Sequence, residues 1–420
     1  MHRPESALEL HFAGDPDGAE QILVSILEGN PEDAESLHVL GLLKHRKGGD
    51  GISLVRASIA VHPDRAPWRN DLGNMLCEIG DAESAASAFL DAIELDPGNH
   101  VYWNNLGACL EALGKPVEAE QAFRQSIGIF PEFRDALSNL GNLLDAQKRA
   151  IEASEFHCRA YVLPPFDGKP KEMLGIAYYR LGRIADAASV YRAWMEEDPE
   201  NPVPRHLHAS CAEVAPSRAS DEYIEKAFDD LSGKFDERLA GLSYNAPSLI
   251  GELLSGLLAP DRKYEILDAG CGTGLCGSYL KPHASTLVGV DLSSGMLELA
   301  KKRDCYDVLI KAELASYLFA QQDRYDLIAA ADTLIYFGDL SAVSSNARRA
   351  LRTGGCFVFT LEESDNPFGW KILPSGRYAH GREYVRSVLR SSGFASVSIE
   401  SCTVRSEFGK PLEFLLVAAS

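Results

Sequence analysis

The sequence predicts a two-domain protein, an all-α solenoid of helical repeats followed by an α/β domain with a doubly wound parallel sheet. Its 420 residues exceed the length, about 250 to 300 residues, at which a single hydrophobic core stops growing. The first half repeats itself every 34 residues, which is typical of a solenoid. After Pro260, short β-branched runs alternate with helical stretches, as expected of a parallel sheet.

The repeat is carried by four positions that recur in one register without slippage. They are the pairs Leu72-Gly73, Leu106-Gly107, Leu140-Gly141 and Leu174-Gly175, then Ala85, Ala119, Ala153 and Ala187, then Phe89, Phe123, His157 and Tyr191, then Pro97, Pro131, Pro165 and Pro199. Gly and Ala let two antiparallel helices approach closely, the ring fills the space between them, and Pro begins the next turn. The pattern resembles the tetratricopeptide repeat.

This resemblance implies about six repeats over residues 1–201. Complete repeats are expected at residues 66–99, 100–133, 134–167 and 168–201, a shortened one at 34–65, and a degenerate cap that ends at Pro31. Arrays of this family usually bind an extended peptide or a partner helix in their concave groove. The polar residues expected there are Asn70, Asn74, Asn104, Glu111, Asn142 and Asp145.

The net charge of the repeat array indicates which class of partner it can bind. Residues 1–200 hold 18 Lys and Arg against 33 Asp and Glu, a net charge of −15 out of −20 for the whole chain. Such a field repels phosphate backbones, so we expect no nucleic-acid partner and a basic or neutral peptide or protein instead. Solubility alone explains the acidity equally well. A homodimer is also compatible with the sequence.

The second domain begins after an irregular segment. Pro202, Pro204 and Pro216 interrupt residues 202–220, which we interpret as a linker with a short capping helix from Arg205 to Val214. The second domain would then span residues 221–420, with a helical stretch over Tyr223–Leu257 ahead of its first predicted strand.

A glycine-rich turn follows the first predicted strand, Tyr264 to Asp268, and leads into a helix expected near Leu275. Glycines there allow positive φ and a close approach of a ligand to the backbone. The spacing G-x-G-x-G over Gly270, Gly272 and Gly274 resembles the first motif of class I methyltransferases, which have a Rossmann-like fold and use S-adenosyl-L-methionine. Asp291 ends the second strand, where a carboxylate can accept from both ribose hydroxyls.

The later motifs of that family follow in order. The third strand closes at Ala312-Glu313, the fourth runs from Tyr325 to Asp332, and Leu351–Gly355 turns into a fifth strand, Cys356 to Leu361. The resemblance therefore assigns cofactor contacts to Tyr244, Asp268, Gly270, Cys271, Gly272, Gly274, Asp291, Leu292, Ala312, Glu313 and Ala331. The whole chain is similar to bacterial methyltransferases fused to tetratricopeptide repeats, and Tyr223–Leu257 resembles the N-terminal helical lid of that family. The resemblance does not supply the substrates.

Acceptor chemistry should lie at the carboxyl ends of strands four and five. The catalytic candidates are His380 as general base, Asp332 and Tyr336, and the substrate-binding candidates are Arg377, Tyr378 and Glu362. Arg377 is a candidate for holding a substrate carboxylate, and a neutral His380 suits proton abstraction. Strand four lacks the Asn/Asp-Pro-Pro-Tyr/Phe sequence of enzymes that methylate amino groups, so O-methylation is slightly favoured. Two acceptors stay open, a peptide or protein recruited by the array, and a small metabolite with the array serving assembly.

Targeting signals and metal motifs are missing from the sequence. No apolar run approaches the roughly 18 residues of a membrane span, and the first residues lack a signal peptide, so we expect a cytoplasmic protein without a membrane partner. The nine cysteines are odd in number and contain no C-x-x-C pair. We therefore predict reduced thiols and no metal site.

Overall fold

The computed structural model describes residues 6–7, 9–10, 13–211, 215–407 and 410–420. Contacts divide the chain into two compact units, Met1–Pro165 and Phe166–Ser420. The expected cap before Pro31 and the end of the expected capping helix at Val214 fall partly outside the described residues. Within those residues, every helix is too short or too polar to cross a bilayer.

The first unit is built from helices that pair along the chain. They are α1 (Pro16–Gly29), α2 (Ala34–Arg46), α3 (Ile52–Val61), α4 (Ala66–Glu78), α5 (Ala82–Leu95), α6 (His100–Ala112), α7 (Pro116–Ile129), α8 (Arg134–Ala146) and α9 (Ala150–Tyr161). Aspartates cap several of them: Asp33 accepts from the backbone N–H of Ser36, and Asp81 accepts from that of Ser84. Such caps satisfy backbone donors that have no partner within the helix.

The two helices of a repeat pack closely where a glycine of the first helix faces an aromatic ring of the second. A Cβ added at Gly73 would lie 2.5 Å from the Phe89 ring, and one at Gly107 would lie 2.6 Å from Phe123. Both phenylalanines are buried, so neither ring has space to retreat. The recurring Leu-Gly pair is therefore a steric requirement of helix packing, which confirms the reason given for it from the sequence.

The asparagines expected in the groove bond to asparagines of the neighbouring repeat. Asn105 Nδ2 donates to Asn70 Oδ1 over 2.9 Å, and Asn139 Nδ2 donates to Asn104 Oδ1 over 3.0 Å. Asn104 is only 7% exposed. Much of the hydrogen-bonding capacity of these amides is therefore used between repeats.

The second unit starts with the last repeat and continues into the sheet domain. Its helices are α10 (Lys171–Arg180), α11 (Ile184–Glu197), α12 (Pro202–Ala209), α13 (Asp221–Leu231), α14 (Phe235–Gly241), α15 (Ala246–Leu257), α16 (Gly277–Leu280), α17 (Ser294–Lys302), α18 (Leu314–Phe319), α19 (Ser341–Ala350) and α20 (Arg382–Ser391). The packing boundary after Pro165 thus lies before the linker expected at residues 202–220, because the fourth complete repeat packs with the sheet domain.

Nine strands form one mixed sheet in the described residues. They are β1 (Tyr264–Ala269), β2 (Ala284–Asp291), β3 (Val308–Lys311), β4 (Tyr325–Ala330), β5 (Leu351–Glu363), β6 (Trp370–Ile372), β7 (Tyr378–His380), β8 (Val397–Glu407) and β9 (Lys410–Ala419). Strands β3-β2-β1-β4-β5 pair in parallel in that order, and β9 pairs antiparallel with β5 and with β8. The short β7 pairs with the end of β5 and with β6.

Two elements differ from the sequence prediction. Strand β5 begins at Leu351, before the expected Cys356, because a register shift against β4 and a positive φ at Gly354 let the glycine turn stay within the strand. The helix expected near Leu275 begins only at Gly277 and has four residues. The carboxyl ends of β1, β2 and β4 still lie together at one edge of the sheet, as its parallel order requires.

Candidate functional site

A cavity of about 450 Å³ opens at this edge of the second unit. The carboxyl ends of β1, β2 and β4 form its floor, and the helices α13 and α14 provide residues on the opposite side. Glu172 of α10 and Val203 of α12 also line it, so the last repeat contributes to the wall. Its volume lies within the range of about 300 to 1,000 Å³ usual for small-molecule sites.

The glycine turn after β1 has the backbone conformation that its sequence predicts. Gly270, Gly272 and Gly274 have φ of 73°, 53° and 85°. A Cβ at Gly270 would lie 2.3 Å from the Thr333 side chain, so only glycine allows the turn to pack against the end of β4. Gly274 instead packs against Tyr306 and does not line the cavity.

Asp291 is fixed at the end of β2 by backbone donors. Its two carboxylate oxygens accept from Gly272 N over 2.9 Å and from Ser293 N over 2.8 Å. Burial raises the pKa of this carboxyl, and these backbone hydrogen bonds act in the opposite direction. The carboxylate therefore links the glycine turn to β2 within the cavity wall.

Asp268 is more deeply buried, with 1% of its surface exposed. Burial raises its pKa to about 7, although the Tyr306 hydroxyl donates to Asp268 Oδ2 over 2.6 Å and lowers it. The same environment raises the pKa of Tyr306. A buried carboxyl at a cavity wall would gain a favourable interaction from a cationic ligand group.

The helices α13 and α14 are attached to the sheet domain by two aspartates. Asp229 Oδ1 accepts from Ser293 Oγ over 2.5 Å and from Gly295 N over 3.1 Å, at the start of α17. Asp236 accepts from Thr273 Oγ1 over 2.7 Å and pairs with Arg303 over 2.5 Å. These contacts hold α14 of the predicted lid against the glycine turn and α13 against the start of α17.

Five charged side chains contact one another at the cavity wall, and all but Glu362 line the cavity. We call them the ionic cluster. They are Asp332, Glu362, Arg377, Arg405 and Glu407. Arg405, whose side chain is 4% exposed, pairs with Asp332 and lies 3.3 Å from Glu407 and 3.5 Å from Glu362. Arg377 pairs with Glu362 over 3.2 Å and with Glu407 over 2.5 Å. Each guanidinium thus contacts at least two carboxylates.

Most of the residues that the sequence assigned to a site line this one cavity. They are Tyr244, Asp268, Gly270, Cys271, Gly272, Asp291, Leu292, Ala312, Glu313, Ala331, Asp332, Tyr336 and Arg377. Burial raises the pKa of Tyr336 to about 12. Phe228 of the lid packs edge-on against that ring at a centroid distance of 5.4 Å. Glu362 takes part in the ionic cluster without lining the cavity.

His380 and Tyr378 do not fulfil the roles expected from the sequence. His380 is fully buried in β7, its Nε2 lies 3.1 Å from the Gly338 carbonyl, and burial lowers its pKa to about 4. It does not line the cavity, so we withdraw it as general base. The Tyr378 hydroxyl donates to the Pro216 carbonyl over 2.8 Å and also lies away from the cavity.

Sequence reasoning missed several residues that line the cavity or contact residues that line it. Tyr306 lies in a loop before β3. Arg405 lies in β8, where polar and apolar residues alternate, so the sequence predicts that its side chain is exposed to solvent. Neither position carries a local motif. Asp236 lies within the predicted lid, but its contact with Thr273 depends on tertiary packing.

Comparisons with known proteins agree with this architecture. A family model described as a methyltransferase domain matches residues 267–359, and tetratricopeptide repeat models match residues 37–100, 88–121 and 132–202. The chain is 32% identical over 173 residues to a malonyl-[acyl-carrier protein] O-methyltransferase of Legionella pneumophila, covering 39% of this chain and 58% of that protein. It is 25% identical over 128 residues to a ubiquinone biosynthesis O-methyltransferase of Coxiella burnetii, covering 30% and 52%.

A solved S-adenosylmethionine-dependent methyltransferase from Mesorhizobium loti is 23% identical, with a TM-score of 0.33, over 40% of this chain and 96% of that one. The chain spans about half the length of the curated relatives named above. The matched segments follow one another along the chain in the order of the two predicted domains. The chain therefore carries tetratricopeptide repeats followed by a methyltransferase domain.

Proposed function

We propose that this protein transfers a methyl group from S-adenosyl-L-methionine to an oxygen of an acceptor held at the cavity of the second unit. The observation that carries the proposal is the convergence of the glycine turn, Asp268, Asp291 and the ionic cluster on one cavity. The names of the relatives, which are O-methyltransferases, support oxygen as the acceptor atom.

The residues present fit this cofactor. Gly272 has open space where a Cβ would lie and leaves room for a ligand beside the backbone, and Asp291 offers an acceptor for ribose hydroxyls. Glu313 lies at the end of β3 beside the position expected for adenine, where its carboxylate also caps α18. Asp268 presents a buried carboxyl that a cationic group would stabilise in its ionised form.

When bound, S-adenosylmethionine supplies a methyl group that its positive sulfur already activates. The task of the chain is then to align the acceptor and to exclude water. The lid serves the second purpose because Asp236 holds α14 against the glycine turn and Asp229 holds α13 against the start of α17. The ionic cluster and Tyr336 orient the acceptor at the opposite end.

We further propose that the repeat array recruits a basic or neutral peptide or protein, which is the acceptor itself or carries it. The net charge of −15 over residues 1–200 supports a basic partner through long-range attraction. A complex-assembly role, including a homodimer, is the alternative. Nine free cysteines fit a reducing, cytoplasmic setting for this activity.

Calorimetry with S-adenosylmethionine and its demethylated product tests the cofactor assignment. We expect micromolar-range affinity for both ligands. Replacing Asp291 with Ala removes a charge-assisted hydrogen bond, worth about 1.5 to 3 kcal/mol, and should weaken binding about 10- to 150-fold. Asp323→Asn is the matched control, because Asp323 is exposed and does not line the cavity. Folded protein that binds neither ligand would refute the proposal.

A further inference from the structure

Two tyrosines of the cavity wall have hydroxyls without a hydrogen-bond partner. Tyr223 of α13 and Tyr336 after β4 both line the cavity, and only 7% of the Tyr223 surface is exposed. Neither hydroxyl makes a hydrogen bond to the residues that the structure describes, and neither is enclosed by protein, in contrast to the unpartnered hydroxyl of Tyr191. Buried tyrosine hydroxyls usually have a partner, so we expect a ligand in the cavity to supply it.

The backbone holds these two tyrosines near each other. Ala219 N donates to the Tyr336 carbonyl over 2.9 Å, and the Ser220 hydroxyl accepts from Tyr223 N over 3.3 Å at the start of α13. The segment that leads into α13 is therefore attached to the turn that carries Tyr336.

The loop before β7 places Arg377 beside both hydroxyls. A Cβ added at Gly376 would lie 2.7 Å from the Tyr223 hydroxyl, which therefore lies against the loop between Ser375 and Arg377, two residues that line the cavity. Burial raises the pKa of both tyrosines, that of Tyr336 to about 12, and the Arg377 guanidinium acts on each in the opposite direction. Both hydroxyls keep their protons at neutral pH and are available as donors.

Neighbouring aromatic residues hold the two rings in place. His206 stacks on Tyr223 at a centroid distance of 3.9 Å, and Phe228 packs edge-on against Tyr336 at 5.4 Å. Fixed donors lose little conformational freedom when a ligand binds, so more of the energy of their hydrogen bonds contributes to affinity.

The charges beside the two hydroxyls disfavour an anionic group. The Arg377 guanidinium is already paired with Glu362 and Glu407. Glu172 also lines the cavity, makes no ion pair within the part of the chain that the structure describes, and raises the pKa of Tyr223. A carboxylate or phosphate would meet the Glu172 charge beside a guanidinium that is already neutralised. An ammonium group has no lone pair to accept from either hydroxyl, so an uncharged oxygen fits best.

We propose that Tyr223 and Tyr336 form an acceptor subsite, in which both hydroxyls donate to one uncharged carbonyl oxygen on the molecule whose hydroxyl is methylated. This inference rests on the proposed function and narrows its acceptors to hydroxy-carbonyl compounds. A carbonyl oxygen has two lone pairs and accepts from both tyrosines at once. Because Tyr223 belongs to α13 and Tyr336 to the turn after β4, the acceptor bridges the lid and the sheet.

Binding of four probe compounds to the full chain tests this subsite. Thermal shift titrations with S-adenosylhomocysteine, the demethylated cofactor, bound to the protein compare 3-hydroxyacetophenone with phenol, 3-hydroxybenzoate and 3-hydroxybenzylamine. All four carry a phenolic hydroxyl, and they differ in the second group. We expect 3-hydroxyacetophenone to bind at least about fivefold more tightly than each of the others, because it alone offers an uncharged oxygen to the two donors. Equal or tighter binding of any other probe, or no binding of all four, overturns the inference.

Tyrosine-to-phenylalanine variants test which hydroxyls are involved. Tyr223→Phe and Tyr336→Phe each remove one donor and keep the ring, so each should weaken 3-hydroxyacetophenone binding about 2- to 12-fold. Phenol binding should stay unchanged, as should the affinity for S-adenosylhomocysteine in calorimetry. Because both donors contact one oxygen, the effect of the double variant should deviate from the sum of the single effects.

Tyr279→Phe is the matched control, because Tyr279 is exposed and does not line the cavity. If both single variants bind 3-hydroxyacetophenone as the wild type does, the two hydroxyls bind only water and the subsite is wrong. A wild-type chain that binds neither S-adenosylmethionine nor S-adenosylhomocysteine in calorimetry would instead refute the proposed function itself.

Discussion

Asp268 couples cofactor binding to pH. Its pKa of about 7 in the free protein means that it carries a proton below neutrality, and a cationic ligand favours the ionised form. Binding of S-adenosylmethionine should therefore release a proton between about pH 6 and 7. We expect affinity to fall as the pH is lowered from 8 to 6, by up to about tenfold per pH unit. Calorimetry in buffers of different ionisation enthalpy measures both effects.

The same residue should lower the stability of the cofactor-free fold. The folded pKa lies above the ordinary value of 3.8, so the contribution of this carboxyl to stability is most favourable at low pH and is lost as the pH rises from about 4 to 7. Asp268→Asn mimics the protonated form. It should raise the Tm of the free protein by several degrees at pH 8, and by less at pH 5, while weakening cofactor binding. Asp304→Asn, at an exposed site, is the control, and a lower Tm for Asp268→Asn at pH 8 would count against this account.

The attachment of the lid to the glycine turn can be tested without changing the sheet. Asp236 on α14 contacts Thr273 of the glycine turn and Arg303 after α17. Asp236→Ala should weaken lid closure, because both contacts are lost while the hydrophobic core is untouched. We expect a faster dissociation rate of the cofactor, by about 3- to 30-fold, with little change in Tm. Stopped-flow displacement gives this rate.

Glu237→Ala supplies the comparison for that measurement. Glu237 is the exposed neighbour of Asp236 on the same helix and does not line the cavity. If both variants release the cofactor at the wild-type rate, the lid is not held by this contact.

Elements with a local signal were predictable from the sequence, and those that depend on packing were not. The positive φ of the glycine turn and the place of Asp291 at the end of β2 could be predicted because both depend on local sequence. The ionic cluster was only partly found, since Arg405 comes from β8, far along the chain from Asp332. His380 was assigned to the site because it follows β5 in the chain. The ring is buried instead, because β7 pairs with β5 and β6.

The boundary between the two compact units lies after Pro165, whereas the 34-residue repeat pattern continues to residue 201. His206 of α12 lies 2.7 Å from the Gly376 carbonyl and stacks on Tyr223 at a centroid distance of 3.9 Å. A Cβ at Gly376, whose φ is 77°, would lie 2.7 Å from the Tyr223 hydroxyl. Residues before the lid therefore support the loop that carries Arg377.

We expect a fragment of residues 166–420 to fold and to bind the cofactor like the full chain. A fragment of residues 220–420 loses the contact of His206 with Gly376 and that of Pro216 with Tyr378, and exposes Tyr223. It should have a lower Tm or be insoluble. Circular dichroism and calorimetry of the two fragments make the comparison. If the two fragments had equal stability and equal cofactor affinity, the domain boundary would lie at residues 202–220, as the sequence predicts.

The fragment of residues 166–420 also tests the array as a recruiting module. An array that holds the acceptor raises its effective concentration at the cavity and leaves the chemical step unchanged. Removing residues 1–165 should therefore raise the apparent KM for the native acceptor, by about 10- to 100-fold, and leave kcat within about twofold.

Salt should affect the full chain more than this fragment, because the attraction of the acidic array for a basic partner is screened over about 8 Å at 0.15 M ionic strength. Raising the salt concentration should thus move the KM of the full chain towards that of the fragment. An unchanged KM on deletion, at every salt concentration, would assign the array to complex assembly and leave acceptor selection to the cavity. An array that recruits the acceptor raises its effective concentration and must therefore change the apparent KM.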